Sequence, residues 1–481
     1  MPTLDTRQRT TNFEELELGY SRGQALAEAS RCLACPEPQC VKGCPVNNDI
    51  PGFIQALVNQ DFQRGVDILR RTTNFPAICG RVCDFARQCE GACVLAQEGG
   101  DPIAIGALER FLGDWERTTG QRHRQAEHKM PPTGRRIAIV GSGPSGLACA
   151  SDLAMRGHHV TIFESLPVIG GAMAWGIPTF RLPPPVLEAE IELLRAVDVD
   201  FQLNTTIGED LTIDDLFAEG FDAAFIGAGT TVPYRLRIPG EKLDGVYSAT
   251  EFLTHARLSH NGQVPGYQLP QIGERLAVIG AGNTAMDVAQ TAVRLGYIVQ
   301  RDGLKEFTSM DVAETALRLG FREVTVVYRR SESEMPARRE EVAAAREEGV
   351  RFMFLTTPVR FIGNEQGRLV AMECQAMGLG APDSSGRRRP VPKAGTEFTL
   401  PVDTAVLALG YQADNTLTRT TDGLATNRWG LITADSETGR TTRDGVWAGG
   451  DIVIGADTVV RAMGAGKRAA RDIDRYLMET K

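Results

Sequence analysis

The chain has 481 residues, a net charge of −9, 42% hydrophobic residues and 23% charged residues. This length allows about three domains of roughly 150 residues each, and the composition is that of an ordinary soluble globular protein. The acidic balance argues against a nucleic-acid partner, because neutralising phosphates requires a basic face. Residues 1–17 have no apolar signal core and no run of 18 uncharged apolar residues occurs, so we expect a cytoplasmic protein without a membrane span.

Eight of the ten cysteines lie in two groups near the N-terminus. The groups are Cys32, Cys35, Cys40 and Cys44, which is followed by Pro45, and then Cys79, Cys83, Cys89 and Cys93. Iron–sulfur clusters need soft thiolate ligands, and a final Cys-Pro pair commonly lends its sulfur to a second cluster. We therefore predict two clusters with interleaved ligands in an α-helical domain over residues 1–134. The alternatives are disulfides and structural zinc, which usually takes two Cys-x2-Cys pairs, whereas only Cys32 and Cys35 have that spacing.

Two further stretches of this region predict a helix and a linker. Residues 54–69 carry apolar side chains at roughly helical spacing, which predicts one packing helix between the cysteine groups. Residues 118–133 are polar and contain Pro131 and Pro132, which predicts a linker.

A first nucleotide loop follows the linker. The buried-strand run 137–140 leads into Gly141-Ser142-Gly143-Pro144-Ser145-Gly146, a helix pattern to Arg156 and a second strand, 160–163. This is the full strand–loop–helix–strand context of a dinucleotide site, in which the glycines permit the turn, the close approach of the pyrophosphate and the packing of helix on strand. Glu164, 23 positions after Gly141, would accept hydrogen bonds from a ribose with a free 2′-hydroxyl.

The segment after this unit is rich in glycine. Residues 170–183 include Gly171 and Arg181 and could lie against a flat ring or a phosphate; a plain surface loop is the alternative. No cysteine occurs between residues 150 and 373, which counts against a redox-active disulfide beside a flavin.

A second nucleotide loop begins after the strand run 276–279. Its sequence is Gly280-Ala281-Gly282-Asn283-Thr284-Ala285, in which alanine replaces the third glycine. The next strand run, 324–328, ends at Arg329–Arg330 with no acidic residue in the ribose position. Two guanidinium groups there suit a 2′-phosphate and favour NADP over NAD, although a solvated basic turn is the alternative.

The distance from Gly280 to Arg329 is 49 residues, about twice the usual spacing. A local duplication accounts for the excess, because residues 287–296 recur as 311–320 with eight of ten positions identical. We interpret it as a copied helix segment, with residues 297–310 as an added excursion.

The C-terminal part carries a motif that would complete the first nucleotide unit. Residues 403–410 form a strand-like run, and Gly449-Gly450-Asp451 lead toward a helix that begins near Thr458. An aspartate at this place can bind a sugar-alcohol chain, and a helix start can face a flavin carbonyl; an ordinary glycine turn is the alternative. Together with the first loop, this motif predicts an α/β protein in which an FAD domain, residues 135–262 and 403–481, is interrupted by an NADPH domain, residues 263–402.

These motifs together resemble the small (beta) subunit of bacterial NADPH-dependent glutamate synthase, and the same module resembles the N-terminal half of dihydropyrimidine dehydrogenase. The resemblance implies two Rossmann-like domains behind a helical domain with two 4Fe-4S clusters. It implies that Cys32, Cys35, Cys40 and Cys93 hold one cluster, that Cys44, Cys83, Cys89 and Glu109 hold the other, and that Cys79 is not a ligand. The implied FAD residues are Gly141, Gly143, Ser145, Gly146, Glu164, Gly171, Arg181, Gly450, Asp451 and Thr458. The implied NADP residues are Gly280, Gly282, Asn283, Thr284, Arg329 and Arg330.

The resemblance also implies a reaction and a partner. Hydride would pass from NADPH to FAD, and electrons would then leave singly through the clusters. Because Met1 is followed by Pro2 rather than by a cysteine nucleophile, we expect glutamate formation on a large (alpha) subunit that carries the amidotransferase and FMN sites, in a hetero-oligomer. The alternatives are a ferredoxin:NADP or sulfur-reducing oxidoreductase subunit with the same electron path, and a zinc-stabilised, non-catalytic nucleotide sensor.

Overall fold

The computed structural model describes residues 1–119, 128–260, 273–305, 323–383 and 386–479. Its α-helices are α1 Thr6–Arg9, α2 Arg22–Ala29, α3 Gln39–Gly43, α4 Ile50–Val58, α5 Phe62–Arg70, α6 Pro76–Val82, α7 Val94–Gln97, α8 Ile105–Thr119, α9 Pro144–Met155, α10 Ala172–Trp175, α11 Pro184–Ala196, α12 Ile213–Ala218, α13 Ala249–His260, α14 Asn283–Lys305, α15 Arg339–Glu347, α16 Thr416–Arg419, α17 Asp451–Ile454 and α18 Val459–Glu479. Within these ranges, no helix is long and apolar enough to cross a membrane.

The strands of the described residues form four sheets. They are β1 Arg136–Val140, β2 His159–Phe163, β3 Val199–Gln202, β4 Ala223–Ile226, β5 Val232–Pro233, β6 Val246–Ser248, β7 Arg275–Ile279, β8 Glu323–Tyr328, β9 Arg351–Phe354, β10 Thr356–Gly363, β11 Leu369–Pro382, β12 Arg388–Pro401, β13 Thr404–Leu407, β14 Tyr411–Gln412 and β15 Val446–Ala448. The predicted mixed α/β architecture with a helical N-terminal part is confirmed.

The cysteine domain, residues 1–119, is helical. Its core is formed by α2, α4, α5 and α8, with Phe53, Leu57 and Leu108 fully buried. The single helix predicted over residues 54–69 is wrong, because the structure has α4 and α5 instead. Gln60 adopts a left-handed conformation (φ 58°) between them, and the Asp61 carboxylate accepts a hydrogen bond from Arg64 N at 3.0 Å, which starts the second helix.

The first nucleotide unit, residues 135–231 and 413–479, is built on a parallel sheet with the strand order β15-β4-β1-β2-β3. The predicted strands before and after the first loop are present, and α9 begins at Pro144, directly behind Gly143. Helices α9 and α18 pack against each other beneath the sheet and bury Cys149 and Met463. This order places the carboxyl ends of β1, β4 and β15 side by side, which is where ligands bind in such sheets.

The second nucleotide unit, residues 234–410, has its own parallel sheet with the order β6-β13-β7-β8-β9. The interrupted architecture is thus as predicted, but the boundaries at 262/263 and 402/403 are not, because β6 and β13 both pair within this second sheet. The chain crosses between the two units along β5 and β14, which pair with each other. The apolar run 403–410 correctly predicted a strand, but hydrophobicity alone does not say which sheet a strand joins.

An antiparallel sheet of three strands, β10-β11-β12, extends the second unit. Strands β11 and β12 are 14 residues each and form a long hairpin whose outer strand is mostly exposed. Residues 311–320, the second copy of the duplication, lie outside the described residues, and the first copy lies in α14. Of the predicted linker, residues 120–127 lie outside them as well.

The N-terminal segment of the cysteine domain, residues 1–20, contacts the helices of this domain and both nucleotide units. Arg9 pairs with Glu347 of α15 at 2.6 Å, and Leu16 N donates to Phe180 O at 2.8 Å. Glu15 pairs with Arg81 of the cysteine domain at 2.7 Å. These contacts hold the cysteine domain against both nucleotide units.

Candidate functional site

The two cysteine groups interleave in space. Cys32, Cys35 and Cys40 of the first group line one cavity together with Cys93 of the second. Apart from Gln39, the remaining lining residues are apolar and include Ile50 and Ile54 of α4. Among the described residues, no three thiol, imidazole or carboxylate groups converge tightly enough for a single metal ion. Four thiols around a shared cavity are the donor set that a 4Fe-4S cluster takes.

The other thiols form a second, more deeply buried group. Cys83 and Cys89 are buried, and Cys44 and the carboxyl of Glu109 lie close enough for their charges to interact with both thiols. Burial raises the pKa of Glu109 to about 8 and that of Cys44 to about 11. Without a metal, these groups are therefore held neutral at pH 7. A bound metal reverses this preference, because it coordinates the deprotonated forms.

Cys79 lies beside this second group. Its thiol is hydrogen-bonded to that of Cys83, and this bond, followed by burial, raises the pKa of Cys83. Proximity alone therefore does not separate Cys79 from the ligand candidates, and its exclusion stays a prediction.

A large cleft of about 740 Å³ lies between the two nucleotide units. Its lining includes most of the residues predicted for FAD, and Asn283 and Thr284 from the residues predicted for NADP. The FAD candidates that line it are Gly141, Gly143, Ser145, Glu164, Gly171, Arg181, Asp451 and Thr458. Gly146 and Gly450 lie behind the lining, and a Cβ on Gly146 would come within 2.0 Å of Gly141 O. The first loop can therefore close only with glycine at position 146.

Glu164 lies at the end of β2, as predicted. Its carboxylate accepts hydrogen bonds from Ser142 N at 2.9 Å, Ser142 Oγ at 2.5 Å, Leu166 N at 2.9 Å and Ser165 Oγ at 3.3 Å. These four bonds use the acceptor capacity of a carboxylate. A ribose hydroxyl would have to replace the longest of them, the bond from Ser165.

Buried hydroxyl groups in the cleft lack partners. Thr230 Oγ1 and Thr458 Oγ1 line it and have no hydrogen-bond partner among the described residues. An unsatisfied buried hydroxyl is unfavourable, so these atoms indicate a polar ligand. Thr458 was a predicted site residue, whereas Thr230 was missed, because a threonine after β4 carries no motif. These orphaned hydroxyls and the glycine-lined loop fit a dinucleotide.

Asp451 is a half-buried carboxyl in the lining of the cleft. Burial raises its pKa to about 7, although Asp457 N donates to Asp451 Oδ1 at 3.3 Å and partly opposes the shift. A carboxyl with this pKa can accept or donate a hydrogen bond to a sugar hydroxyl near neutral pH.

Arg181 lines the cleft but is bound to the second unit. Its guanidinium contacts Asp287 at 2.6 Å and Glu341 at 3.3 Å, and these carboxylates outweigh the effect of burial and raise the pKa of Arg181. The residue predicted to contact FAD thus also joins the two nucleotide units across the cleft. Asp287, which lines the cleft too, was not predicted.

The remaining NADP candidates lie outside the cleft lining. Gly280 and Gly282 form the turn between β7 and α14, and Asn283 Oδ1 accepts a hydrogen bond from Arg338 N at 3.0 Å. Arg329 is exposed, whereas Arg330 is buried and contacts Asp383 at 2.5 Å. The two arginines therefore differ in environment, which their adjacent positions in the sequence did not show.

The cleft extends to the cysteine domain. Val82, at the end of α6 and next to Cys83, is part of its lining. Cys79 and Cys83 pack in the same apolar cluster as Ile137 of β1 and Leu147 of α9. The second cysteine group is therefore adjacent to the cleft, and the cavity of the first group lies within the helical core of the cysteine domain.

Comparisons with known proteins agree with this division. Residues 9–121 match the family described as dihydropyrimidine dehydrogenase domain II, 4Fe-4S cluster, and residues 135–466 match the pyridine nucleotide-disulphide oxidoreductase family. The glutamate synthase (NADPH) small chain of Escherichia coli (strain K12) is 34% identical over 99% of this chain and 96% of its own length. The NADP(+)-dependent formate dehydrogenase subunit beta of Moorella thermoacetica is 38% identical over 96% of this chain and 64% of its own length.

A solved structure shows the same fold in the nucleotide units. FprA from Mycobacterium tuberculosis in complex with NADPH superposes with a TM-score of 0.57 at 22% identity, covering 73% of this chain and 85% of that chain. The predicted resemblance to glutamate synthase small chains is therefore confirmed. The chain belongs to the pyridine nucleotide-disulphide oxidoreductase family, and it carries a 4Fe-4S domain of the dihydropyrimidine dehydrogenase domain II type ahead of the shared nucleotide units.

Proposed function

We propose that this NADPH-dependent oxidoreductase is the electron-input subunit of a glutamate synthase. It would take electrons from NADPH and deliver them through FAD and two 4Fe-4S clusters to a large subunit that makes glutamate from glutamine and 2-oxoglutarate. One observation carries the proposal: a single cleft is lined by both nucleotide units and reaches Val82, beside the second cysteine group. Nucleotide, flavin and cluster chemistry can thus meet in one place.

The residues of the cleft have distinct roles in this proposal. Gly141 and Gly143 would admit the FAD pyrophosphate, and Asp451 and Thr458 would bind its ribityl and ring ends. Asn283 and Thr284, at the start of α14, would bind the NADPH pyrophosphate. When bound, FAD would accept hydride from NADPH and release electrons singly. The side chains position and desolvate the coenzymes and need no acid–base step.

The cysteines would form two cluster sites in series. Cys44, Cys83, Cys89 and Glu109 would hold the cluster next to the cleft, and Cys32, Cys35, Cys40 and Cys93 would hold the second. The placement of Val82 supports this order. Electrons would leave from the Cys32 cavity, where Leu33 is 58% exposed.

The glutamate synthase assignment is supported by the match with the small chain over nearly the full length of both proteins. A second candidate keeps the electron path and changes the acceptor. The higher identity with a formate dehydrogenase subunit favours it. In both cases the site residues named here keep their roles, and we expect a cytoplasmic hetero-oligomer.

The test is to isolate the native complex anaerobically and to measure its NADPH oxidation. Oxidation that requires both glutamine and 2-oxoglutarate supports the glutamate synthase assignment. Oxidation only with ferredoxin or an artificial acceptor favours the second candidate. A protein that contains neither iron nor acid-labile sulfide nor flavin would refute both.

A further inference from the structure

Arg330 is held in an unusual environment at the end of β8. Its side chain is only 7% exposed, and its Nη2 donates to Asp383 Oδ2 at 2.5 Å. Arg329, the adjacent residue, is exposed. The carboxylate that binds Arg330 comes from 53 residues further along the chain, so no pattern around β8 predicts it.

The long hairpin delivers this carboxylate. Asp383 follows the last residue of β11, and its backbone is fixed by two hydrogen bonds: Asp383 N donates to Arg387 O at 2.8 Å, and Gly386 N donates to Asp383 O at 2.9 Å. The backbone secures the same region, because Leu355 N donates to Arg330 O at 3.0 Å and Leu355 O accepts from Met377 N at 2.7 Å. Strand β11 is thus attached to Arg330 through both backbone and side chain.

One donor of Arg330 stays unsatisfied. Its Nε is buried and has no hydrogen-bond partner in the described part of the chain. A buried, charged N–H without an acceptor is unfavourable. An anionic oxygen would satisfy it, and the end of the second strand of a dinucleotide unit is where the 2′-phosphate of NADP is read.

We propose that Asp383 is a positioning residue for recognition of the 2′-phosphate of NADPH. By binding one edge of the Arg330 guanidinium, it holds the Nε edge in place for the phosphate. A guanidinium fixed in this way loses less rotational freedom on binding than a free one. The inference rests on the proposed use of NADPH and adds a residue from outside the nucleotide motif.

The experiment is calorimetric titration of the anaerobic holoprotein with NADP+, NAD+ and adenosine 2′,5′-bisphosphate. In Asp383→Asn we expect the affinities for NADP+ and the bisphosphate to fall about tenfold, and that for NAD+ to change by less than about twofold. Asp383→Glu should restore part of the loss. Glu373→Gln is the matched control, because it removes a carboxylate of β11, the strand that Asp383 follows, and this carboxylate pairs with the exposed Arg360 at 2.8 Å. It should leave all three affinities unchanged.

A double-mutant cycle tests whether Asp383 acts through Arg330. In an Arg330→Gln background, Asp383→Asn should cause no further loss of NADP+ affinity. The proposal is overturned if Asp383→Asn strengthens NADP+ binding, or if it lowers the affinities for NADP+ and NAD+ by the same factor. It is also overturned if Asp383→Asn lowers the NADP+ affinity as much in the Arg330→Gln background as in the wild-type background. Wild-type protein that binds neither NADP+ nor the bisphosphate would instead refute the proposed function. Unchanged flavin content shows that each variant is folded.

Discussion

Burial raises the pKa of individual thiols and carboxyl groups of this chain. It raises the pKa of Cys40 to about 11 and that of Glu109 to about 8, so both groups are neutral at pH 7 without a metal. A bound cluster would hold such thiols deprotonated, and the four that line one cavity are the donor set that a 4Fe-4S cluster takes. The spacing of the cysteines predicted clusters with interleaved ligands, and the family resemblance implied which thiols share a cluster. The packing of the helices is what brings Cys93 to the cavity of the first group.

Cys35→Ser tests the first cluster site. We expect iron and acid-labile sulfide to fall by about half while FAD stays bound, because Cys35 lies in the Cys32 cavity and not in the cleft. Metal analysis and the flavin spectrum of anaerobically purified protein measure this. Cys79→Ser is the control and should keep both clusters. Unaltered iron in Cys35→Ser would contradict the ligand assignment.

Arg329→Ala tests coenzyme selectivity at an exposed position. The Michaelis constant for NADPH should rise about tenfold and that for NADH by less than about twofold, because only NADPH carries the 2′-phosphate. Steady-state kinetics with both coenzymes measure this. The control is Arg351→Ala on the neighbouring strand β9, where an exposed arginine pairs with Glu323. Equal losses for both coenzymes would count against the role of Arg329.

Asp451 should make the folding stability of the FAD-free protein depend on pH. Its folded pKa of about 7 lies above the ordinary value of 3.8, so the folded state binds the proton more tightly than the unfolded state. Stability is therefore lost as the pH rises from about 4 to about 7. Asp451→Asn removes this loss, so its advantage in melting temperature over wild type should be larger at pH 8.5 than at pH 5. An advantage that does not depend on pH would show that the carboxyl is not titrating.

At the scale of elements, the strands and glycine loops with a clear sequence pattern were predictable, whereas the point at which one helix ends and the next begins was not. The strands around both glycine loops lie where their apolar runs predicted them. The break between α4 and α5 was missed, because the apolar spacing continues across it. The break is made by the left-handed backbone of Gln60 and by the Asp61 cap, which begins α5. Packing between helices likewise depends on single positions, of which Gly466 in α18 is the clearest.

Gly466→Ala should destabilise the first nucleotide unit. A Cβ at this position would come within 2.1 Å of Ser145 O on α9, so the two helices would have to separate beneath the FAD loop. We expect a loss of about 1–3 kcal/mol in the free energy of unfolding and weaker FAD retention. Gly23→Ala in α2 is the control, because nothing lies within 4 Å of its added Cβ; it should be neutral or slightly stabilising. Thermal unfolding and flavin release compare the two, and equal behaviour would contradict the packing argument.

At the scale of the whole molecule, a buried ion triad joins the cysteine domain to the first nucleotide unit. Arg70 of α5 contacts Glu116 of α8 at 2.5 Å and Glu190 of α11 at 3.1 Å. Burial by itself would lower the pKa of Arg70, but the charges of the two glutamates outweigh this effect and raise the pKa. The triad thus helps to hold the second cysteine group against the cleft.

Glu190→Gln should loosen this attachment. Removing one buried carboxylate leaves the Arg70 charge less compensated, and we expect a loss of about 3 kcal/mol in the free energy of unfolding. Urea unfolding followed by flavin fluorescence measures the loss. Glu192→Gln in the same helix is the control, because this exposed glutamate pairs with the exposed Arg195 and should contribute little. A Glu190→Gln variant as stable as the control would show that the triad does not stabilise the joint.

The sequence by itself determined the α/β class, the interrupted order of the units and the kinds of cofactor, because each follows from residues close together in the chain. Thiols within a few positions predict clusters, and a glycine loop between strand and helix predicts a dinucleotide. Only the tertiary structure decided that β6 and β13 belong to the second sheet, that Val82 borders the cleft and that Asp383 binds Arg330. These features join segments far apart in the chain, and local periodicity carries no information about such distant partners.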